Sequence, residues 1–351
     1  KTMFKYLILL FGTLCFSQEL VFNNLFDSTL NSKIACYRIP SIINSTNGTL
    51  IAAIDERNNS CGDLKWNRDI NIVLRKSYDD GKTWTKIEKI IDYPLGESAS
   101  DPSMIVDKQT GDIFLFYNYM NLDKAKDIYR FMVIKSADNG ENWSNPKDIT
   151  KQITKKDWNN DFMFITSGRG SQSKDGTLLH CLVNLDKGTH VFGSKDHGDS
   201  WFLIDYPLKP GDESKIIELS NGDWLVNSRV NSNKFRYSHL TKDKGKSWFT
   251  FENKDLSDPA CNASLINYNT SSENLLLFSN AFDSKKRENL SLSISYDQGK
   301  SWIKNKTIYK GSSAYSTMTR LNNGDVGLFF EKDNYTKNVF VRIPKKWIIK
   351  N

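Results

Sequence analysis

Ser77-Tyr78-Asp79-Asp80-Gly81-Lys82-Thr83-Trp84 decides the fold, because its pattern, Ser/Thr-x-Asp-x-Gly-x-x-Trp, recurs. It returns at Ser136-Ala137-Asp138-Asn139-Gly140-Glu141-Asn142-Trp143, then at Ser194, Asp196, Gly198 and Trp201. Thr241, Asp243, Gly245 and Trp248 make a fourth copy, and Ser295, Asp297, Gly299 and Trp302 a fifth. The copies lie roughly 50–60 residues apart, the period of a propeller or repeat array. In each, the Asp side chain can accept hydrogen bonds from its own turn, and the Gly admits positive φ. The Trp ring then anchors the turn on a neighbouring strand.

Working outward, apolar runs enter the copies: Ile70-Asn71-Ile72-Val73-Leu74-Arg75, Phe131-Met132-Val133-Ile134-Lys135 and Leu290-Ser291-Leu292-Ser293-Ile294. These read as strands. Asn47-Gly48, Asp175-Gly176, Asn221-Gly222 and Asn323-Gly324 each precede a further strand, and such pairs are strong hairpin signals. Each period therefore holds two hairpins, or four antiparallel strands, which is one propeller blade. About 330 residues at this period predict an all-β, six-bladed β-propeller, the sixth blade lacking a copy of the turn.

The bulk composition fits. The 351 residues are 38% hydrophobic and 12% aromatic, enough for a packed core rather than disorder. A net charge of +7, spread along the chain, favours acidic ligands without making a nucleic-acid footprint. Lys1 and Lys5 flank the apolar run Tyr6 to Phe16, with polar Ser17-Gln18-Glu19 after it. This reads as a secretory signal peptide over residues 1–18, too short to span a membrane, leaving 19–351 as a single domain. A lipid anchor at Cys15 is disfavoured by the bulk of Leu14. Export would permit disulfides among Cys36, Cys61, Cys181 and Cys261, in any of three connectivities if all pair. Free thiols are the alternative. No cysteine or histidine spacing suggests a metal site.

Chemistry-bearing residues are spread as a propeller channel requires. Tyr37-Arg38-Ile39-Pro40 precedes the first hairpin, and Asp55-Glu56-Arg57 and Cys61-Gly62-Asp63 follow it. Glu213, Arg229, Arg287, the segment Ser313-Ala314-Tyr315-Ser316 and Glu331 come later. Together the Arg-Ile-Pro motif, the repeated Asp-box turns, the three arginines in order and the Ser-Ala-Tyr-Ser segment resemble the exo-α-sialidases (neuraminidases) of the secreted bacterial type. The resemblance covers residues 30 to 345.

What that resemblance implies is specific. Its substrate, a terminal sialic acid, carries a carboxylate on the anomeric carbon. Arg38, Arg229 and Arg287 would grip that carboxylate through charge-assisted, partly bidentate hydrogen bonds. Tyr315 would be the nucleophile, since a carboxylate attacking there would be repelled; sialidases are a recognised exception to the two-carboxylate scheme. Glu213 would take the phenol proton, and Asp63 would act as general acid and then base. Arg57 would line the pocket near the carboxylate or the 4-hydroxyl, Asp101 would lie near the 4-hydroxyl and acetamido end, and Glu331 would orient Arg38. Trp66, Met104 and Phe162 would wall the acetyl methyl. Arg169, unusual in its Gly-rich segment, and Arg320 stay outside the triad. No cofactor or metal is implied; the partners are sialylated glycoconjugates, with no nucleic acid, and a monomer is favoured. Trans-sialidases, including intramolecular ones, share these residues and remain an alternative, as does a sialidase preferring a deaminated sialic acid. A non-catalytic Asp-box propeller that binds glycans is the rival from another class.

Overall fold

The computed structural model describes residues 19–349, so residues 1–18, read from sequence as a signal peptide, lie outside the described residues. The described residues form five hydrogen-bonded, almost wholly antiparallel sheets of a β-propeller around a central channel, two of four strands, two of five and one of seven. The first sheet contains Ile34–Asn44, Leu50–Asn58, Ile70–Ser77 and Glu88–Ile91. The second runs Glu97–Val106, Ile113–Asn121, Arg130–Ser136 and Lys147–Asp148, and Gly168–Arg169 joins it parallel to its first strand. In the third, Met163–Ile165 and Ser171–Gln172 both pair with Leu178–Asn184, followed by Gly188–Ser194 and Phe202–Leu203. The fourth is Ser214–Glu218, Trp224–Ser228, Phe235–Thr241 and Phe249–Ser257.

The last sheet has seven strands and departs from the simple repeat. Its strand Ile303–Arg320 is outermost in one group of four and innermost in the next, with a break in register between Ser313 and Ser316. Phe22–Asp27 pairs antiparallel with Lys337–Ile343, so the first described strand completes the sheet begun by the end of the chain. The innermost strands close the ring. Ile34–Asn44 packs against both Glu97–Val106 and Ile303–Arg320, and Ser214–Glu218 packs between Leu178–Asn184 and Ser264–Asn269.

The core is correspondingly divided into clusters between neighbouring sheets. Ile51, Ala53, Leu115 and Tyr117 fill the gap between the first and second. Phe116, Phe192 and Trp201 fill the next, and Phe329 and Phe340 meet Ile54 and Val73 where the ring closes. The strand runs anticipated from sequence fall inside Ile70–Ser77, Arg130–Ser136 and Glu288–Ser295, and each Asn-Gly or Asp-Gly pair links an inner strand to its neighbour. Among the described residues both α-helices span four residues, and no helix is long and apolar enough to cross a membrane.

The five Asp-box turns share one geometry. In the first, Asp79 accepts from the Thr83 N–H at 2.9 Å and the Thr83 hydroxyl at 2.6 Å, while Ser77 Oγ accepts from the Gly81 N–H at 2.9 Å. The residue before each glycine is also left-handed, as Asp80 is at φ 58°. The glycines have a second reason to be glycine: they touch the preceding sheet. A Cβ on Gly81 would stand 2.2 Å from Phe340, and one on Gly198 would stand 2.3 Å from Phe114. Trp84 packs on the same Phe340, with ring centroids 5.1 Å apart. The turn therefore docks one sheet onto its predecessor, beyond folding its own edge.

This arrangement carries a pH prediction. Hydrogen bonds from the residue four positions on hold the carboxyls of Asp79, Asp138, Asp196 and Asp243 down at about 2. A depressed folded-state value stabilises the protein above the unfolded value of roughly 3.9, and the gain is lost as pH falls through the folded value. The urea midpoint is therefore expected to fall between about pH 4 and pH 2. Converting Asp138 and Asp243 together to Asn should flatten that acid limb; an unchanged slope would refute the assignment.

Candidate active site

The two segments that open the channel mouth are tied covalently. Cys36 and Cys61 form a disulfide, while Cys181 and Cys261 are free and buried. Cys36 lies two residues before Arg38, and Cys61 two before Asp63. The bridge thus fixes the loop bearing Asp63 to the strand bearing Arg38. It closes a loop of sequence separation 25, so the double variant Cys36→Ser/Cys61→Ser is expected to lose about 3 kcal/mol of stability. Urea unfolding checks this; equal midpoints for oxidised wild type and the double variant would refute it.

Arg38 sits where its strand is strained. Ile39 is left-handed at φ 67°, a conformation β-branched residues rarely adopt. One buried carboxylate, Glu331, secures this kink. Its Oε1 accepts from Arg38 Nε at 2.8 Å and from the Ile39 N–H at 2.8 Å, and its Oε2 accepts from the Tyr315 N–H at 3.1 Å. Glu331 therefore fixes Tyr315 as well as the arginine. Burial works against the Arg38 charge, but Glu331 outweighs it and the guanidinium stays protonated.

The three arginines converge on Tyr315. Arg38 and Arg287 place their guanidinium carbons 5.5 Å and 5.4 Å from its ring centre, and Arg229 Nη1 donates to its hydroxyl at 3.2 Å. The same Nη1 donates to Glu213 Oε2 at 2.6 Å, so acid, arginine and phenol form one chain. Burial, then the charge of Glu213, pushes the Tyr315 hydroxyl well above its usual value, against the pull of Arg229, Arg287 and Arg38. The free site thus holds a neutral phenol beside a base, under three cations.

Asp63 faces them with an exposed side chain. Burial of its surroundings would raise its pKa, but Arg57, Arg38 and Arg287 hold it below the usual carboxylate range. Arg57 itself is placed differently from the other arginines. It is fully buried and spends its donors on Asp55 Oδ2 (3.1 and 3.0 Å), Asp63 Oδ1 (2.6 Å) and the Cys61 carbonyl (2.9 Å). It acts here on Asp63 and is not among the residues lining the pocket. Asp101 does line it, left-handed at φ 64°, its N–H donating to Asp55 at 2.9 Å. Burial and the neighbouring Asp55 raise the Asp101 carboxyl well above the usual carboxylate range, and its Oδ2 accepts from Asn118 Nδ2 at 2.9 Å.

The resulting pocket is about 300 Å³, and Tyr129, Phe162, Phe164 and Leu185 line it together with the arginines. Of the three residues expected to wall an acetyl methyl, Phe162 is among the lining. Trp66 is exposed and outside the lining, and Met104 is buried in the cluster between the first and second sheets. Three contributors escaped the sequence reading. Asp212 stands 3.7 Å from Arg229 Nε, Asn231 accepts from that Nε at 2.7 Å, and the Tyr335 ring stacks under Arg38 at 4.2 Å. The first two flank Glu213 and Arg229 in sequence, which was the signal available.

The profile of the BNR repeat-like domain matches residues 48–328. A sialidase of Bacteroides fragilis is 29% identical over 90% of this chain and 63% of its own length. A sialidase of Micromonospora viridifaciens is 31% identical over 84% of this chain and 50% of its own. The chain thus spans between half and two thirds of these relatives. Among solved structures, Hadza microbial sialidase Hz136 superposes with a TM-score of 0.82 at 27% identity, over 90% of this chain and 67% of that one. The intramolecular trans-sialidase of Ruminococcus gnavus superposes at 0.79 with 18% identity, over 93% of this chain and 98% of that one, a likeness of fold. With the repeat profile spanning most of the chain, the protein belongs to the BNR repeat-like family.

Proposed function

We propose that this protein is an exo-α-sialidase that hydrolyses terminal α-linked sialic acids through a covalent tyrosyl intermediate. One observation carries the reading: three guanidiniums from separate stretches of the chain surround one buried tyrosine whose hydroxyl shares an arginine with a glutamate. A ligand carboxylate seated among Arg38, Arg229 and Arg287 would bring its anomeric carbon to Tyr315 Oη. Glu213 takes the phenol proton as the bond forms, since a fully formed phenolate is disfavoured there. The same carboxylate neutralises part of the field that depresses Asp63, so substrate binding itself raises the pKa of the group that must protonate the leaving oxygen. Asp63, now a carboxylate, then activates water to release the sugar with retained configuration.

The relatives' activity as sialidases supports the reading. Six blades are part of it: the seven-stranded sheet divides at Ser313/Ser316 into two groups of four, and apolar clusters separate the groups. Export is part of it too, supported by the Cys36–Cys61 bridge, which suits an oxidising compartment. Incubation with α2,3- and α2,6-sialyllactose, followed by mass spectrometry and NMR, tests the proposal. Free sialic acid released first as the α-anomer is expected. A 2,7-anhydro product or a transferred sialic acid would replace hydrolysis by a trans-sialidase reaction, and no turnover would favour a glycan-binding propeller.

A further inference from the structure

The inner strands all run from the candidate active site towards the opposite channel mouth. Arg38 and Asn44 lie on one, Asp101 and Val106 on the next and Tyr315 and Arg320 on another, while Glu213 stands immediately before the strand that carries Ile217. In each pair the first residue lines the active-site pocket and the second lines another cavity. Four to six residues of strand at roughly 3.3 Å each set the two sites about 13–20 Å apart.

That second cavity is larger, about 550 Å³, and no aspartate or glutamate lines it. Three cations do: Lys108, Arg169 and Arg320. Their restraints are neutral. Arg169 Nη1 donates to the Met318 carbonyl at 2.8 Å, with Nε reaching the Gly170 carbonyl at 3.4 Å. Arg320 Nη1 donates to the Asn269 carbonyl at 2.6 Å and its guanidinium lies over the Tyr268 ring at 4.9 Å. Both guanidiniums are thus oriented without being neutralised. Burial lowers Arg169 to about 10, and burial together with Arg169 and Arg320 lowers Lys108. Cations kept this close in a recess, with donors left over, focus a positive field. A tetrahedral oxyanion answers that field with bidentate acceptors. The lining also carries Asn267, Gln172 and Thr319 together with Ile217 and Leu265, polar groups for a sugar's hydroxyls and apolar ones for its C–H faces.

We infer that the distal mouth of the channel is a binding site for a phosphorylated or sulfated sugar, held by Lys108, Arg169 and Arg320. The site is separate from the triad and does not depend on the sialidase reading.

Isothermal titration with inorganic phosphate and with glucose 6-phosphate, at fixed ionic strength, tests it. The triad is first saturated with a 2,3-unsaturated sialic acid analogue, so that its arginines do not contribute. One saturable site is expected, tighter for glucose 6-phosphate than for phosphate and absent for glucose. The double variant Lys108→Gln/Arg320→Gln, at two exposed positions, should weaken it at least tenfold. Its unliganded melting temperature should not fall, because the change removes like-charge repulsion. No saturable binding to wild type would overturn the proposal, as would equal affinity in the double variant. A double variant that melts lower without ligand would assign the cations a structural role instead.

Discussion

Tyr315→Phe is expected to lower turnover of a natural sialoside by roughly 10⁴-fold, about 5.5 kcal/mol of barrier, while leaving the fold and carboxylate binding intact. The hydroxyl is the only atom removed. Its single described contact is the 3.2 Å hydrogen bond from Arg229, which keeps Glu213 as a 2.6 Å partner. The ring that Arg38 and Arg287 cover stays in place. Melting temperature and affinity for a 2,3-unsaturated analogue should therefore hardly move. A fluorinated sialosyl donor that slows the second displacement should add its mass to the wild-type protein at Tyr315 and add nothing to the variant. A variant with wild-type rates, or one labelled elsewhere in the site, would end the tyrosyl mechanism. Loss of binding alongside turnover would instead make Tyr315 a packing residue for the arginines.

Much of this site was legible because its members announce themselves locally. Arg38 stands in an Arg-Ile-Pro motif and Tyr315 in Ser-Ala-Tyr-Ser, and the structure brings both to one mouth with Arg229, Arg287, Asp63, Asp101 and Glu213. The Asp boxes were legible for a similar reason: their hydrogen bonds span four residues or fewer. What the boxes rest on was not, because Gly198 meets Phe114 and Gly81 meets Phe340, contacts made only once sheets are stacked. The same limit applies to the disulfide. Four cysteines offered three complete pairings, and folding selected one bridge, leaving two thiols enclosed in separate apolar clusters. Arg57 shows the converse. Its position was anticipated, but Asp55, only two residues away, turns its guanidinium from the pocket into a buried clamp on Asp63. The strand Phe22–Asp27 closing the ring left no comparable mark, since its partner lies at the other end of the chain.

Glu331 concentrates more of the site than its distance from the pocket suggests, and its replacement is the second large effect expected. It is 1% exposed and serves three donors: Arg38 Nε, the Ile39 N–H and the Tyr315 N–H. Glu331→Ala leaves a buried guanidinium without its carboxylate, a change that costs roughly 3–5 kcal/mol. It also removes the acceptor that holds Ile39 left-handed, a strain worth about 1–3 kcal/mol that the neighbourhood must otherwise sustain. Relaxation of that kink would swing Arg38 away from Tyr315. Glu331→Gln separates charge from shape. It keeps one acceptor oxygen, but its amide would turn a donor towards either Arg38 and Ile39 or the Tyr315 N–H, so one donor set must meet a donor. We therefore expect Glu331→Gln to be destabilised by about 2–4 kcal/mol in urea and to bind the 2,3-unsaturated analogue at least tenfold more weakly. Glu331→Asp keeps the charge and shortens the reach, so it should recover part of the affinity before it recovers the stability. Were Glu331→Gln to retain wild-type affinity and stability, the orientation of Arg38 and Tyr315 would have to come from Tyr335 and the strand alone.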